Sequence, residues 1–185
     1  MNAGYLIAAL VVAAPLYVVL AYNRLVRART MLQEGWSGID VQLRRRADLV
    51  PNLIETVKGY AGHEHSIFED LADKRAQSFA ANTVTGQITA EQAMQGALGR
   101  LFAVAEAYPA LKADANFRQL QTELEQIEDQ VQLARRYYNG VAREMNTRVQ
   151  SFPGNLVAAA FNFAPASYFE LGDEAARTVP KVAFG

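Results

Sequence analysis

The sequence predicts an all-α protein with a single N-terminal transmembrane helix. This helix continues into an antiparallel long four-helix bundle with a coiled-coil-like hairpin, followed by an extended C-terminal tail. The first 23 of the 185 residues carry no charged side chain. Apolar residues then recur at steps of three and four over two long stretches, which is the period of a helix with one buried face. Proline, glycine and polar clusters separate the helical stretches.

The N-terminal segment, residues 3–22, is long enough to span a bilayer. As a helix its 20 residues would reach about 30 Å, the thickness of the hydrocarbon core. A secretory signal peptide has basic residues before a shorter apolar stretch, whereas here Arg24, Arg27 and Arg29 follow it. The pattern therefore predicts an uncleaved anchor over residues 1–23, with a buried core helix as the alternative.

The basic residues after the anchor predict its orientation and its contact with lipid. By the positive-inside rule, the N-terminus lies outside the cell and the remainder lies in the cytoplasm. Tyr22 suits the membrane interface, and Arg24, Arg27 and Arg29 are close enough to attract anionic headgroups. Membrane lipid is thus one predicted partner.

After the anchor, the apolar period predicts one long helix from Leu25 to Val57, bent at Pro51 and broken near residues 61–63. A shorter helix follows, and then a polar loop over residues 82–86. Thr89 is the predicted N-cap of a third helix that stops at Tyr108 and Pro109.

The fourth periodic stretch, Phe117 to Phe152, is the most regular in the chain. A near-heptad stripe of this length predicts coiled-coil-like packing against the first long helix. The two short helices can cover only the end of this hairpin that is remote from the membrane, so the membrane-proximal stalk keeps apolar surface. Such surface usually has a partner.

Arginine interrupts both apolar stripes, at Arg46 and at Arg135. Counting back from the distal turn places Arg46 near the level of Glu128 and Arg135 near Asp40. A charge in an apolar stripe is costly unless it meets a carboxylate. We therefore predict two cross-helix register pairs, with arginines that extend to solvent as the alternative.

The C-terminal part offers candidate contacts between subunits. Residues 155–163 are apolar on most sides and either lie on the bilayer surface or dock onto a neighbouring protomer. Residues 164–185 are predicted to form an extended strap along another subunit, the alternative being a frayed tail. The candidate oligomer contacts are Leu156, Phe161, Phe163, Tyr168, Phe169, Val182 and Phe184.

Composition argues against several functional classes. The chain has 18 Lys and Arg against 19 Asp and Glu, so it lacks the net positive charge expected of a nucleic-acid binder. It lacks cysteine, and no nucleotide, hydrolase or metalloprotease motif occurs. His63 and His65 are two residues apart, so on a helix they point in nearly opposite directions and do not share a metal ion. We expect no cofactor, no metal and no enzymatic activity.

Six ordered segments resemble the motifs of the LemA family. These are YNRLV (22–26), WSGIDVQL (36–43), RADLVPNL (46–53), EAYPAL (106–111), ARRYYN (134–139) and FPGN (152–155). The resemblance extends to YFE (168–170) and PKV (180–182) and so covers nearly the whole chain. It implies a bacterial inner-membrane protein with one N-terminal span and a cytoplasmic four-helix domain, and it supplies no enzymatic mechanism.

Together these observations predict an anchor over residues 1–23, a cytoplasmic helical domain over 24–163 and a tail over 164–185. The predicted function is a non-enzymatic scaffold that self-associates as a homo-oligomer at the cytoplasmic face of the inner membrane. The alternative is an adaptor or regulator that docks onto an envelope protease or transporter.

Overall fold

The computed structural model describes residues 3–170, with the side chains of residues 11–170. Its helices are α1 (Ala3–Lys58), α2 (His65–Ala80), α3 (Val84–Glu106), α4 (Pro109–Ala113), α5 (Ala115–Gln150) and α6 (Gly154–Ala160). Residues 3–170 contain no strand. The predicted all-α class, with one long apolar N-terminal helix, is confirmed.

The chain forms two compact units. Among the described residues, the first comprises residues 3–49 and Ala115–Tyr168, and the second comprises Val50–Asp114 with residues 169–170. Helix α1 therefore contributes residues to both. It continues through Pro51 to Lys58.

Within the first unit, α1 and α5 lie side by side and run antiparallel. Three contacts show the direction, pairing Arg24 with Arg148, Trp36 with Tyr138 and Arg46 with Glu128. As the residue number rises along α1, the number of its partner on α5 falls.

The two helices approach each other closely at Gly35. A Cβ atom at this position would lie 3.3 Å from the Cα of Tyr138 and 3.3 Å from the ring of Tyr137. The backbone of α5 cannot move aside as a flexible side chain can, so the absence of a side chain at residue 35 permits this approach.

After α5 the chain folds back onto the first unit. Val157 and Ala158 of α6 are buried with Leu25 and Met145 in one apolar cluster. Leu25 and Met145 belong to the apolar stripes of α1 and α5. Helix α6 therefore completes a three-helix core at this end.

The segment after α6 lies along α5 of the same chain. The side-chain amide of Asn146 donates to the carbonyl of Ala166 at 3.0 Å and accepts from its N–H at 2.7 Å. The hydroxyl of Tyr138 donates to the carbonyl of Ser167 at 2.9 Å. Up to residue 168, the predicted strap thus binds its own subunit, because α5 presents partners for its backbone. Residues 171–185 of the predicted tail lie outside the described residues.

In the second unit, α2 packs against α3 around a buried polar cluster. The hydroxyl of Ser78 donates to Oε1 of Glu91 at 2.9 Å, and the amide of Gln87 lies 3.4 Å from the same oxygen. After α1 ends, the hydroxyl of Tyr60 donates to Asp114 at 2.9 Å. This hydrogen bond raises the pKa of Tyr60.

One predicted boundary is wrong. Helix α3 begins at Val84, because Thr83 has an extended backbone and its Oγ1 accepts from the N–H of Gly86 at 3.1 Å. Thr89 lies inside the helix, where its hydroxyl donates to the carbonyl of Thr85. Since a Cβ at residue 86 would come within 2.9 Å of the capping oxygen, glycine at that position permits the cap.

Candidate functional site

Residues 11–22 of α1 are predominantly apolar and exposed. Between Val11 and Tyr22 its large apolar side chains are 37% to 69% exposed. Only 17% of the most apolar 18-residue window is buried within the chain, and its mean hydropathy is 1.3. A core helix would have most of this window covered. By length and composition, α1 is the one helix of the described chain that could cross a membrane.

Aromatic rings gather where the apolar part of α1 ends. The ring of Tyr22 meets the edge of Phe161, at 4.8 Å between centroids, and that of Phe163 at 5.8 Å. The guanidinium of Arg29 lies 5.0 Å from the centroid of Phe163. These contacts fix the segment after α6 beside the residues predicted to lie at the membrane interface.

The same end of the first unit carries large apolar side chains that are exposed among the described residues. Phe152, in the turn between α5 and α6, is 81% exposed, and Leu156 and Phe161 are also exposed. Together with Tyr17 and Tyr22 they form an apolar rim, the term used below for these five residues. The rim lies at the level where α1 passes from apolar to basic sequence.

Beside this rim, α1 and α5 enclose a cavity of about 550 Å³. It is lined by Tyr17, Ala21, Arg24, Leu25, Gly140, Arg143, Glu144, Thr147, Arg148, Ser151, Phe152 and Gly154. One part of the lining is apolar. The other brings together three guanidinium groups, the carboxylate of Glu144 and the hydroxyls of Thr147 and Ser151, and the hydroxyl of Tyr17 is also part of the lining.

The polar part of the cavity has excess positive charge. Arg148 forms an ion pair with Glu144 and donates to the carbonyl of Arg24 at 3.4 Å. In the described part of the chain, Arg24 and Arg143 have no carboxylate within ion-pair distance. Two arginines at the cavity are therefore available to an anion.

Further along the first unit, the structure brings Arg46 and Glu128 together. Nη1 of Arg46 lies 2.8 Å from Oε2 of Glu128, and Arg46 is only 3% exposed. Burial lowers the pKa of Arg46, and the charge and hydrogen bond of Glu128 oppose that shift. The ion pair thus offsets the cost of burying the guanidinium.

The other two register residues have additional neighbours. Oδ2 of Asp40 lies 2.9 Å from Nε of Arg44, one turn along α1. Arg135 donates to Gln132 at 3.2 Å, and burial lowers its pKa against the opposing charge of Glu128. The pairing of Asp40 with Arg135 stays a prediction.

The predicted oligomer contacts differ in exposure. Phe163 and Phe169 are buried within the chain, whereas Leu156, Phe161 and Tyr168 are exposed. Val182 and Phe184 lie outside the described residues. Of the described candidates, the three exposed side chains are the ones available to a partner.

Sequence reasoning missed Arg143, Arg148 and Phe152 as site residues. The positions of the two arginines along α5 do not by themselves distinguish a solvent face from a cavity wall. The signal that could have found them is the antiparallel register, which places the last turns of α5 beside Arg24.

The buried carboxylate of Glu91 was also missed. Glu91 lies in a helix where apolar residues recur with little regularity. The spacing therefore does not mark its side chain as buried. Its partners Ser78 and Gln87 are buried with it. In residues 11–170, no three His, Asp or Glu side chains are grouped so as to hold a metal ion.

Comparison with known proteins reveals relatives of the chain. The sequence profile of the LemA family matches residues 35–184. The chain is 29% identical over 179 residues to magnetosome protein MamQ 1 of Paramagnetospirillum magneticum, covering 83% of this chain and 66% of that protein. It is 27% identical over 178 residues to magnetosome protein MamQ of Magnetospirillum gryphiswaldense, covering 82% and 65%.

A further relative is protein LemA of Metamycoplasma hominis, 24% identical over 152 residues, covering 82% of this chain and 69% of that protein. None of these names states an enzymatic activity. The chain spans about two thirds of the length of the magnetosome proteins that it matches.

Proposed function

The chain belongs to the LemA family, and from this premise we propose that it is a membrane-anchored, non-enzymatic scaffold that self-associates at the cytoplasmic face of the inner membrane. The exposed apolar part of α1 is the anchor in this proposal. Because Arg24, Arg27 and Arg29 follow it, the N-terminus lies outside and α2 to α6 lie in the cytoplasm.

The observation that carries self-association is a pair of large side chains on α5. Leu133 and Tyr137 lie one turn apart, so they share one face of the helix, and each is half exposed. They lie far along α5 from the apolar rim, and lipid therefore does not account for their exposure. Adjacent exposed apolar groups favour contact with another protein surface.

A second copy of this chain is the partner that we propose. The same face is present on every copy, so contact between copies would cover it. Leu156, Phe161 and Tyr168 are additional candidate contacts between copies. Leu156 and Phe161 belong to the apolar rim, where lipid competes with protein for contact with them.

The test is the protein mass of the full-length chain in mild detergent, measured by size exclusion with light scattering. The scaffold proposal requires a discrete particle of several copies. The double variant Leu133→Gln and Tyr137→Gln should reduce that mass while the helical circular dichroism is unchanged.

The matched control is Gln126→Ala with Gln130→Ala, an exposed pair one turn apart on the same helix. Its particle should keep the wild-type mass. A wild-type monomer or dimer would overturn the scaffold and favour the adaptor or regulator of an envelope protein. An unchanged mass in the Leu133 and Tyr137 variant would remove this face as the contact.

A further inference from the structure

The cavity beside the apolar rim combines two chemistries in one space. Its apolar wall includes Tyr17, Ala21 and Phe152, and its polar wall includes Arg24 and Arg143. The volume of about 550 Å³ is within the range of roughly 300–1,000 Å³ for small-molecule sites. An occupant that suits both walls has an anionic group and an apolar part.

The charge of the polar wall selects an anion. Arg148 is already paired with Glu144, so the negative charge of that glutamate is engaged. Arg24 and Arg143 come from different helices and have no carboxylate partner among the described residues. The hydroxyl of Ser151 lines the same cavity, whereas the hydroxyl of Thr147 donates to the carbonyl of Arg143 at 2.9 Å. Guanidinium groups with nearby hydroxyls are suited to the oxygen atoms of a phosphate.

The cavity lies where the apolar part of α1 ends. Arg24 is the first charged residue of the chain, and Tyr17 precedes it by seven residues, which corresponds to about 10 Å along a helix. The cavity therefore extends across the level at which α1 changes from apolar to basic. A free phosphate ion would use only one of its two walls.

We propose that this cavity binds one anionic glycerophospholipid. Arg24 and Arg143 hold the headgroup phosphate, and the hydroxyl of Ser151 is a further donor. The acyl chains leave past Tyr17 and Phe152 into the bilayer. The inference rests on the proposed membrane anchoring of α1 and goes beyond it, because it assigns a stoichiometric site that includes the last turns of α5.

The position of Phe152 supports the route for the acyl chains. This side chain is 81% exposed although it belongs to the cavity wall. A phenyl ring exposed to water at this level would be unfavourable, and contact with acyl chains removes that cost.

The experiment counts lipids on the full-length protein by native mass spectrometry during titration in neutral detergent. Phosphatidylglycerol is the anionic probe, phosphatidylcholine the zwitterionic one and inorganic phosphate the soluble one. The expected result is one phosphatidylglycerol retained per chain, with weaker retention of phosphatidylcholine and no displacement by millimolar phosphate.

Two double variants with the same loss of charge test the site. Arg24→Gln with Arg143→Gln should weaken retention of phosphatidylglycerol about 10-fold or more, because charge-assisted hydrogen bonds to the phosphate are lost. Arg45→Gln with Arg136→Gln removes one exposed arginine from each of the same helices, outside the cavity and away from the membrane interface. This control should retain lipid as the wild type does.

An equal loss in both double variants would overturn the site, since it would show attraction by overall charge. Equal retention of the two lipids would also overturn it. Displacement by inorganic phosphate would reassign the cavity to a soluble phosphate. Because lipid is counted per chain, a failure of self-association does not affect this readout. A chain that is not anchored would be recovered in the soluble fraction before any lipid is titrated, so a failure of anchoring is detected separately.

Discussion

Two levels of the antiparallel α1 and α5 pair use arginine in opposite ways. At one level Arg46 is buried and bonded to Glu128. At the other, Arg24 and Arg143 are exposed at a cavity and have no carboxylate partner in the described residues. The same side chain completes the packing of two helices in the first case and leaves a site for an anion in the second.

The difference teaches that the local sequence does not decide which role an arginine has. Both levels lie on amphipathic helices of similar composition. What differs is the residue that the antiparallel register places opposite, a carboxylate at Glu128 and a second cationic side chain at Arg148. The two levels can be separated by the variants below, which we order by expected effect.

The largest effect should follow from Glu128→Gln, because it leaves the charge of Arg46 buried without its carboxylate. Breaking a fully buried ion pair costs about 3–5 kcal/mol, and we expect about 2–3 kcal/mol here because the Glu128 side chain is 36% exposed. Arg46→Met should cost less, since the glutamate left behind can be hydrated. Denaturant unfolding of the full-length protein in detergent measures both.

The comparison predicts that Arg24→Met and Arg143→Met leave the free energy of unfolding nearly unchanged. If Arg46→Met and Glu128→Gln were equally harmless, the ion pair would have no role in stability. If Arg46→Leu stabilised the protein without changing its assembly, the proposed role of this pair in setting the helix register would be wrong.

A smaller effect is expected at the membrane end, where neutral hydrogen bonds hold the segment after α6. Asn146→Leu removes both bonds to Ala166 and should cost about 1–3 kcal/mol, because a partly buried backbone group loses its partner. Hydrogen exchange of residues 163–168 should increase. Asn146→Asp keeps an acceptor for the N–H of Ala166 and should give an intermediate increase.

Exchange that is unchanged in Asn146→Leu would mean that other contacts order this segment. The effect of Glu128→Gln on the free energy of unfolding should be the same in the wild type and in both Asn146 variants, because Asn146 lies 18 residues along α5 from Glu128.

The smallest effect concerns Tyr138, whose hydroxyl donates to Ser167. Tyr138→Phe should cost about 0.5–1.5 kcal/mol through loss of this hydrogen bond. Burial raises the pKa of Tyr138 above its ordinary value of 10.0. A raised pKa means that the folded state holds the proton more firmly, so the contribution is complete below pH 10 and is lost as pH rises through the folded pKa.

The stability difference between wild type and Tyr138→Phe should therefore shrink above about pH 10. Tyr137→Phe, at the neighbouring half-exposed tyrosine, is the control. A difference that is independent of pH up to the alkaline limit of the measurement would contradict the assignment of the hydroxyl as a buried donor.

Several elements could be predicted from the sequence because their causes are local. The uncharged first 23 residues indicated the exposed apolar part of α1, and the regular stripe from Phe117 onward indicated α5. The start of α3 was predicted at Thr89, six residues too late, because Thr83 and Thr89 are both acceptable cap residues. The structure shows that the hydroxyl of Thr83 is the one bonded to an N–H at the start of the helix.

The sequence by itself determined the helical class, the apolar segment with the arginines after it and the level at which Arg46 meets Glu128. These features depend on composition, on the period of the apolar residues and on the number of residues between a position and the distal turn. Only the tertiary structure decided that Arg143, Phe152 and Arg24 share one cavity and that Asn146 holds the segment after α6. Such contacts join residues far apart in the chain, and their geometry depends on how closely α1, α5 and α6 pack, which no local pattern encodes.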